Sequence, residues 1–91
     1  MEPEFSAYTK YHRALREKRK LSTAVLVVQL EVVSNFPIDK TSLSRYEKVT
    51  RRVPPEYFDA LEHLFGIEEV KRLRELLCEA LDNLNRRKYK L

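Results

Sequence analysis

The stretch that most constrains this chain is AVLVVQLEVV, residues 24–33. Its valines favour a buried strand by propensity, because β-branched side chains pack well on a pleated surface. No second stretch shows the pattern of a pairing strand, and an isolated strand does not hold in water. The run is therefore expected to be a buried helix over about 22–34. Gln29 and Glu31 interrupt it, and it falls well short of the roughly 20 apolar residues of a membrane span.

Further helices can be placed on either side. Ser6 is a good N-cap for a first helix through AYTKYHRALREKRK, with Tyr8, Tyr11 and Leu15 at helical spacing. Ser22 is a second N-cap and opens the valine run. Pro37 forces a break, after which Asp39 is placed to cap a short helix ending near Lys48. Pro55 suits the first turn of a fourth helix, EYFDALEHLF, whose Tyr57, Phe58, Leu61, Leu64 and Phe65 form a broad apolar stripe. Gly66, the only glycine, sits where that helix would stop. A long fifth helix then runs from Ile67 to about Arg87. The expectation is a compact all-α bundle of five helices. With 91 residues there is room for a single core, so 1–91 reads as one domain.

Several function classes are disfavoured. Cys78 is alone and cannot form an internal disulfide; it reads as a buried small hydrophobe, or alternatively as an inter-subunit link. His12 and His63 are too scattered to make a metal set with it, so neither a metal nor a cofactor is expected. No Gly-rich phosphate loop or nucleophile–base arrangement appears, and an enzyme is not expected. The start MEPEF is acidic, unlike a signal or transit peptide, which suggests a cytoplasmic protein with no membrane partner. No small-molecule ligand is evident.

Charge is more informative. The chain carries a formal +4, unevenly placed. Residues 1–53 hold eleven Lys or Arg against six Asp or Glu, residues 54–85 hold three against eight, and the closing RRKYK adds four cations. A basic half beside an acidic segment suggests a polyanion on one face and something else on another.

The basic half concentrates in KTSLSRYEKVTRR, residues 40–52. At 100° per residue, Leu43 and Tyr46 fall on one side of a helix with Glu47 beside them. Thr41, Ser44, Arg45 and Lys48 fall on the far side, with Lys40 at the N-terminal edge. Short hydroxyls and long cations displayed together suit a helix in a DNA major groove: Arg can hold guanine bidentately, Ser and Thr can bond bases or phosphates, and Lys neutralises phosphate. A merely solvated face has a similar composition.

The flanks point to a family. LREKRKLS at 15–22, followed by TSLSRYEKVTRRVPPEYFDALEHLFGI at 41–67, resembles the phage-repressor and Cro-like helix-turn-helix proteins, also called the xenobiotic-response-element family. The resemblance covers most of residues 8–67, and SLSRYE is its most specific part. It implies a helix-turn-helix formed by helices two and three, with recognition helix about 39–48. By position in the family's pattern, Lys40, Thr41, Ser44 and Arg45 would meet base edges. Ser22, Thr23, Lys48, Arg51 and Arg52 would meet phosphates, and Arg16 with Glu47 would form a structural ion pair. Two departures stand out: EVVSNFP lengthens the connection between the two helices, and Lys20 replaces the glycine before the Leu-Ser pair.

On the fifth helix, Val70, Leu73, Leu77, Ala80, Leu81 and Leu84 belong to an apolar arc wider than one-sided packing uses. Two readings are open: a helix wholly absorbed in its own core, or a dimerisation helix over 67–87. The second is preferred, because a homodimer presents paired recognition helices to a palindromic double-stranded operator, with half-sites roughly 34 Å apart. The basic tail, 86–91, either adds phosphate contacts or is simply solvated. The resulting expectation is a sequence-specific DNA-binding regulator, a repressor by resemblance. The rival is a protein-binding module on the same fold, such as an antitoxin or a regulator's partner.

Overall fold

In the computed structural model, which describes residues 3–89, a short 3-10 turn (Pro3–Phe5) precedes five α-helices. These are α1 (Ser6–Lys18), α2 (Thr23–Ser34), α3 (Lys40–Lys48), α4 (Pro55–Phe65) and α5 (Ile67–Tyr89). No strand occurs among the described residues, and the protein is an all-α five-helix bundle. None of the described helices is long and apolar enough to cross a membrane. The end of the basic tail, residues 90 and 91, lies outside the described residues.

Caps explain most of the boundaries. The Ser22 hydroxyl accepts the Val25 amide at 3.2 Å, and the Asp39 carboxylate accepts the Ser42 amide at 2.6 Å. Each satisfies a donor that the first turn leaves without a carbonyl. Pro55 opens α4, where its missing N–H costs nothing. The start of α1 departs from expectation. The 3-10 turn places Phe5 in the capping position without a side-chain cap bond, and Ser6 becomes the first helical residue.

Three helices end on left-handed residues that are not glycine: Lys20 (φ 56°), Asn35 (φ 50°) and Val49 (φ 55°). After α1, the Leu21 amide returns to the Arg16 carbonyl at 3.0 Å; after α3, the Thr50 amide returns to that of Arg45 at 2.9 Å. These bonds satisfy carbonyls that the last turns leave free. Lys20, which stands where the resembled pattern has a glycine, is thus one of these left-handed residues. Asn tolerates this region, but a β-branched Val rarely enters it.

The core is built around α4, which packs on α2 and α5, while α1 packs against α3 and α5. Tyr8, Leu26, Leu30, Leu43, Tyr57, Leu61, Val70 and Leu73 are fully buried within it. The lengthened connection 35–39 is ordered by its own apolar residues: Phe36 lies 6.1 Å from the Tyr57 ring, and Ile38 packs on the core. At the far end of the bundle the 3-10 turn packs on α5. There Phe5 is buried and Glu4 Oε1 lies 2.7 Å from Arg87 Nη1.

Three expectations need correction. Val70, Leu73 and Ala80, assigned to a dimer interface, are buried in the protein's own core, because α5 packs on α1, α4 and the 3-10 turn. Leu77 and Leu84 are half-buried, which leaves Leu81 as the exposed member of that set. Cys78 is exposed rather than buried, since it falls on the flank of α5 away from Val70 and Leu73. The valine helix α2 is buried on one side only. Leu26 and Leu30 face inward, whereas Val25, Val28, Val32 and Val33 are exposed.

Candidate nucleic-acid interface

The inner side of α3 is fixed by Leu43, fully buried, and Tyr46, whose ring centroid lies 5.1 Å from that of Tyr57. That orientation turns Lys40, Thr41, Ser44, Arg45 and Lys48 outward, where with Thr50 they line one shallow depression of about 460 Å³. Three of the six lining residues are cations, two are threonines and one is a serine, and none is acidic. Such a surface offers hydrogen-bond donors and positive charge to a polyanion. Arg45 and Lys48 also occupy the last turn of α3, where the helix dipole favours cations.

The remaining expected contacts are distributed around this depression. Arg51 donates to the Ser42 hydroxyl at 2.9 Å. Arg51 and Arg52 line an adjoining groove with Val49, Val53, Leu77 and Leu81, which Thr50 also borders. Ser22 and Thr23 stand at the N-terminus of α2 and do not line the depression. The Ser22 hydroxyl is an acceptor in its cap and keeps its own O–H to donate. Asp39 is the acidic residue at the edge of α3. The Ser42 hydrogen bonds, then the nearby Arg51 and Arg45 charges, hold its carboxyl below the ordinary range despite some desolvation.

Behind α3 lies a buried polar network that ties the helix to α1 and α4. His12, 2 % exposed, places Nδ1 2.9 Å from Glu47 Oε1 and Nε2 2.6 Å from the Tyr57 hydroxyl. Arg16 donates through Nε to the same Glu47 oxygen at 3.1 Å and through Nη1 to the Leu21 carbonyl at 2.9 Å. Thr9 donates from Oγ1 to the Glu47 carbonyl at 2.9 Å. Arg16 and Glu47, paired by the resemblance, thus form an ion pair inside a larger cluster.

Burial alone would push the Glu47 carboxyl up. The hydrogen bond and charge of His12, followed by those of Arg16, pull harder and hold it below the ordinary glutamate range. An ionised carboxylate only accepts, so His12 donates to it from Nδ1, while Nε2 shares the second hydrogen bond with the Tyr57 hydroxyl. Burial, and to a smaller extent the neighbouring Tyr8 and Glu47, push the Tyr57 phenol well up, which keeps that O–H protonated.

Periodicity alone identifies five of the six residues lining the depression. It misses Thr50, which lies beyond the left-handed turn at Val49. His12, Tyr57 and Thr9 carry no sequence signal of their roles, apart from His12 preceding Arg16 by one helical turn. His63 is exposed. Among the described residues no group of three or more His, Cys, Asp or Glu is placed to hold a metal ion. No protein-family model, curated protein or solved structure matches the chain.

Proposed function

We propose that the protein is a helix-turn-helix DNA-binding regulator, a repressor of the phage-repressor and Cro-like kind, with α3 as the helix that enters the major groove. The observation that carries this reading is the shared outward face of Lys40, Thr41, Ser44, Arg45 and Lys48 on a helix whose inner side is anchored. Cations and hydroxyls held in register are what base edges and phosphates require. In this reading Arg45 reads a base, with Lys40, Thr41 and Ser44 beside it. Lys48, Arg51 and Arg52 meet phosphates on the C-terminal side, and Ser22 and Thr23 meet them from α2. A homodimer on a palindromic operator is the natural form, with half-sites roughly 34 Å apart.

Fluorescence anisotropy with a short random-sequence duplex tests this. Lys48, Arg51 and Arg52, the three cations assigned to phosphate, would together give a slope of log affinity on log salt of about −2.7. Salt-dependent binding that disappears in the Arg45→Ala/Lys48→Ala double variant supports the reading. Absence of binding at low salt overturns it. A second reading, a protein-binding module such as an antitoxin, draws on the exposed valines of α2 and would leave DNA unbound.

A further inference from the structure

The groove beside the α3 depression combines two kinds of surface. Five of its lining residues are apolar: Val49 and Val53 from the loop after α3, Pro55 from α4, and Leu77 and Leu81 one helical turn apart on α5. The other three are Thr50, Arg51 and Arg52, so no acidic residue lines it. Its volume, about 440 Å³, falls within the roughly 300–1,000 Å³ of pockets that hold small organic molecules.

Neither guanidinium is paired with a carboxylate. Arg51 donates to the neutral Ser42 hydroxyl at 2.9 Å, and Arg52 has no hydrogen bond or ion pair among the described residues. The arginines on α5 differ. Arg72 lies 3.3 Å from Glu75, and Arg74 lies 2.8 Å from Asp59 and 3.2 Å from Glu62. Arg74 and Asp59 border a second depression of about 350 Å³, which shares Val53, Pro55 and Leu77 with the first. Apolar surface therefore extends across both, while unmatched cations stand at one end only.

We infer that the groove takes an amphipathic organic acid, with its apolar body against Val53, Leu77 and Leu81 and its single terminal carboxylate on Arg51 and Arg52. The planar guanidinium matches a carboxylate with two parallel hydrogen bonds. A DNA backbone could engage the same arginines, but its polar sugars and phosphates have no use for the apolar residues beside them. An acidic peptide running on past Leu77 would meet Asp59, backed by Glu62, with Arg74 alone to oppose them. One anionic end and one apolar end is the charge pattern that complements the site. Because Arg51 and Arg52 are also the phosphate contacts proposed above, the bound acid competes with DNA and releases it. This second step rests on the DNA reading; the binding of the acid does not.

Titration of the isotope-labelled full chain with octanoate, followed by two-dimensional amide NMR, tests the groove. Octanoate is expected to produce saturable shifts in residues 49–53 and around Leu77 and Leu81. Acetate has the charge without the chain, and octanol the chain without the charge. Each should bind at least about tenfold more weakly, the scale of one charge-assisted hydrogen bond or about two buried methylenes. Arg52→Gln and Leu81→Gln, both at exposed positions, should each weaken octanoate with unchanged circular dichroism. Equal responses to octanoate and acetate overturn the inference and leave the arginines to phosphate alone. So do octanol binding as tightly as octanoate, saturation on another part of the surface, and the absence of any saturable shift. Anisotropy with the duplex reads the second step, with acetate at equal concentration as the control for ionic strength. Octanoate is expected to release DNA from the unmodified protein but not from Leu81→Gln, which keeps every residue assigned to DNA. Duplex that stays bound at saturating octanoate overturns the release. A protein that binds no duplex at low salt overturns the DNA reading and the release with it, while the octanoate titration still decides the groove.

Discussion

His12 Nδ1 and Glu47 Oε1 lie 2.9 Å apart in the interior of the bundle, and through that contact α1 holds the last turn of α3. Because the same oxygen accepts from Arg16 and the Glu47 carbonyl accepts from Thr9, one residue connects α3 to three side chains of α1. Leaving any of these buried groups without its partner costs more than the pair is worth in isolation.

Glu47→Gln keeps the shape but removes the charge that both His12 and Arg16 donate to. The expected loss is about 2–3 kcal/mol of unfolding free energy, on the scale of hydrogen bonds to charged groups. Urea denaturation at neutral pH measures it. A cycle with His12→Phe should reveal coupling on the order of 1 kcal/mol or more between the two sites.

The same carboxyl makes stability depend on acid. Its value is depressed in the fold, so the unfolded chain takes up the proton first as the pH falls. The contribution is fully present above the ordinary value of about 4.3 and is lost as the pH drops through the lower folded value. Urea midpoints followed from about pH 5 to about pH 3 should fall less steeply in Glu47→Gln than in the unmodified protein, since the variant has no carboxyl to titrate there.

Lys20 is exposed and left-handed, at φ 56°. That conformation costs an L-residue roughly 1–2 kcal/mol, and glycine surrenders about 0.5–1 kcal/mol of that advantage through its freer unfolded chain. Lys20→Gly is therefore expected to stabilise the protein by about 0.5–1 kcal/mol, a rise in Tm of several degrees for a domain of this size. Thermal unfolding followed by circular dichroism reads it directly. Val49, in the same conformation, is a poorer target because its side chain packs against the core.

On the α3 face, Arg45→Ala and Lys48→Ala should behave differently. Losing a bidentate base contact costs about 1–3 kcal/mol at one position of the site and relaxes preference there, whereas losing a phosphate contact weakens all sequences about equally. Binding selection from a randomised duplex pool, followed by titration of the selected and scrambled sequences, distinguishes them. Unchanged preference in Arg45→Ala would show that α3 is not read in the register proposed.

Most helix boundaries were legible because they depend on local chemistry. Ser22 and Asp39 cap the helices they precede, and Pro55 and Gly66 mark the start and stop of α4. The outward face of α3 was legible for the same reason: Leu43 and Tyr46 set the inward direction, and periodicity placed Arg45 and Lys48 opposite. What escaped depends on contacts distant in sequence. His12 meets Glu47 and Tyr57 across separations of 35 and 45 residues, which no helical period encodes. The burial of Val70 and Leu73 depends on where α1 and α4 lie, so the width of the apolar arc on α5 could not distinguish a self-packed helix from a paired one. The valines of α2 misled in the opposite direction, since a uniformly apolar helix reads as buried on every side.

The clasp between the two ends of the bundle bears on how the chain is made. Phe5 is covered by α5, and Glu4 pairs with Arg87. Ribosomes extend a chain from its N-terminus at about 5–20 residues per second. Phe5 therefore emerges well before α5, and for some seconds the nascent protein displays an apolar residue without the helix that covers it. A ribosome stalled before α5 would hold a chain whose first turn cannot dock, open to proteases and chaperones that the finished bundle excludes.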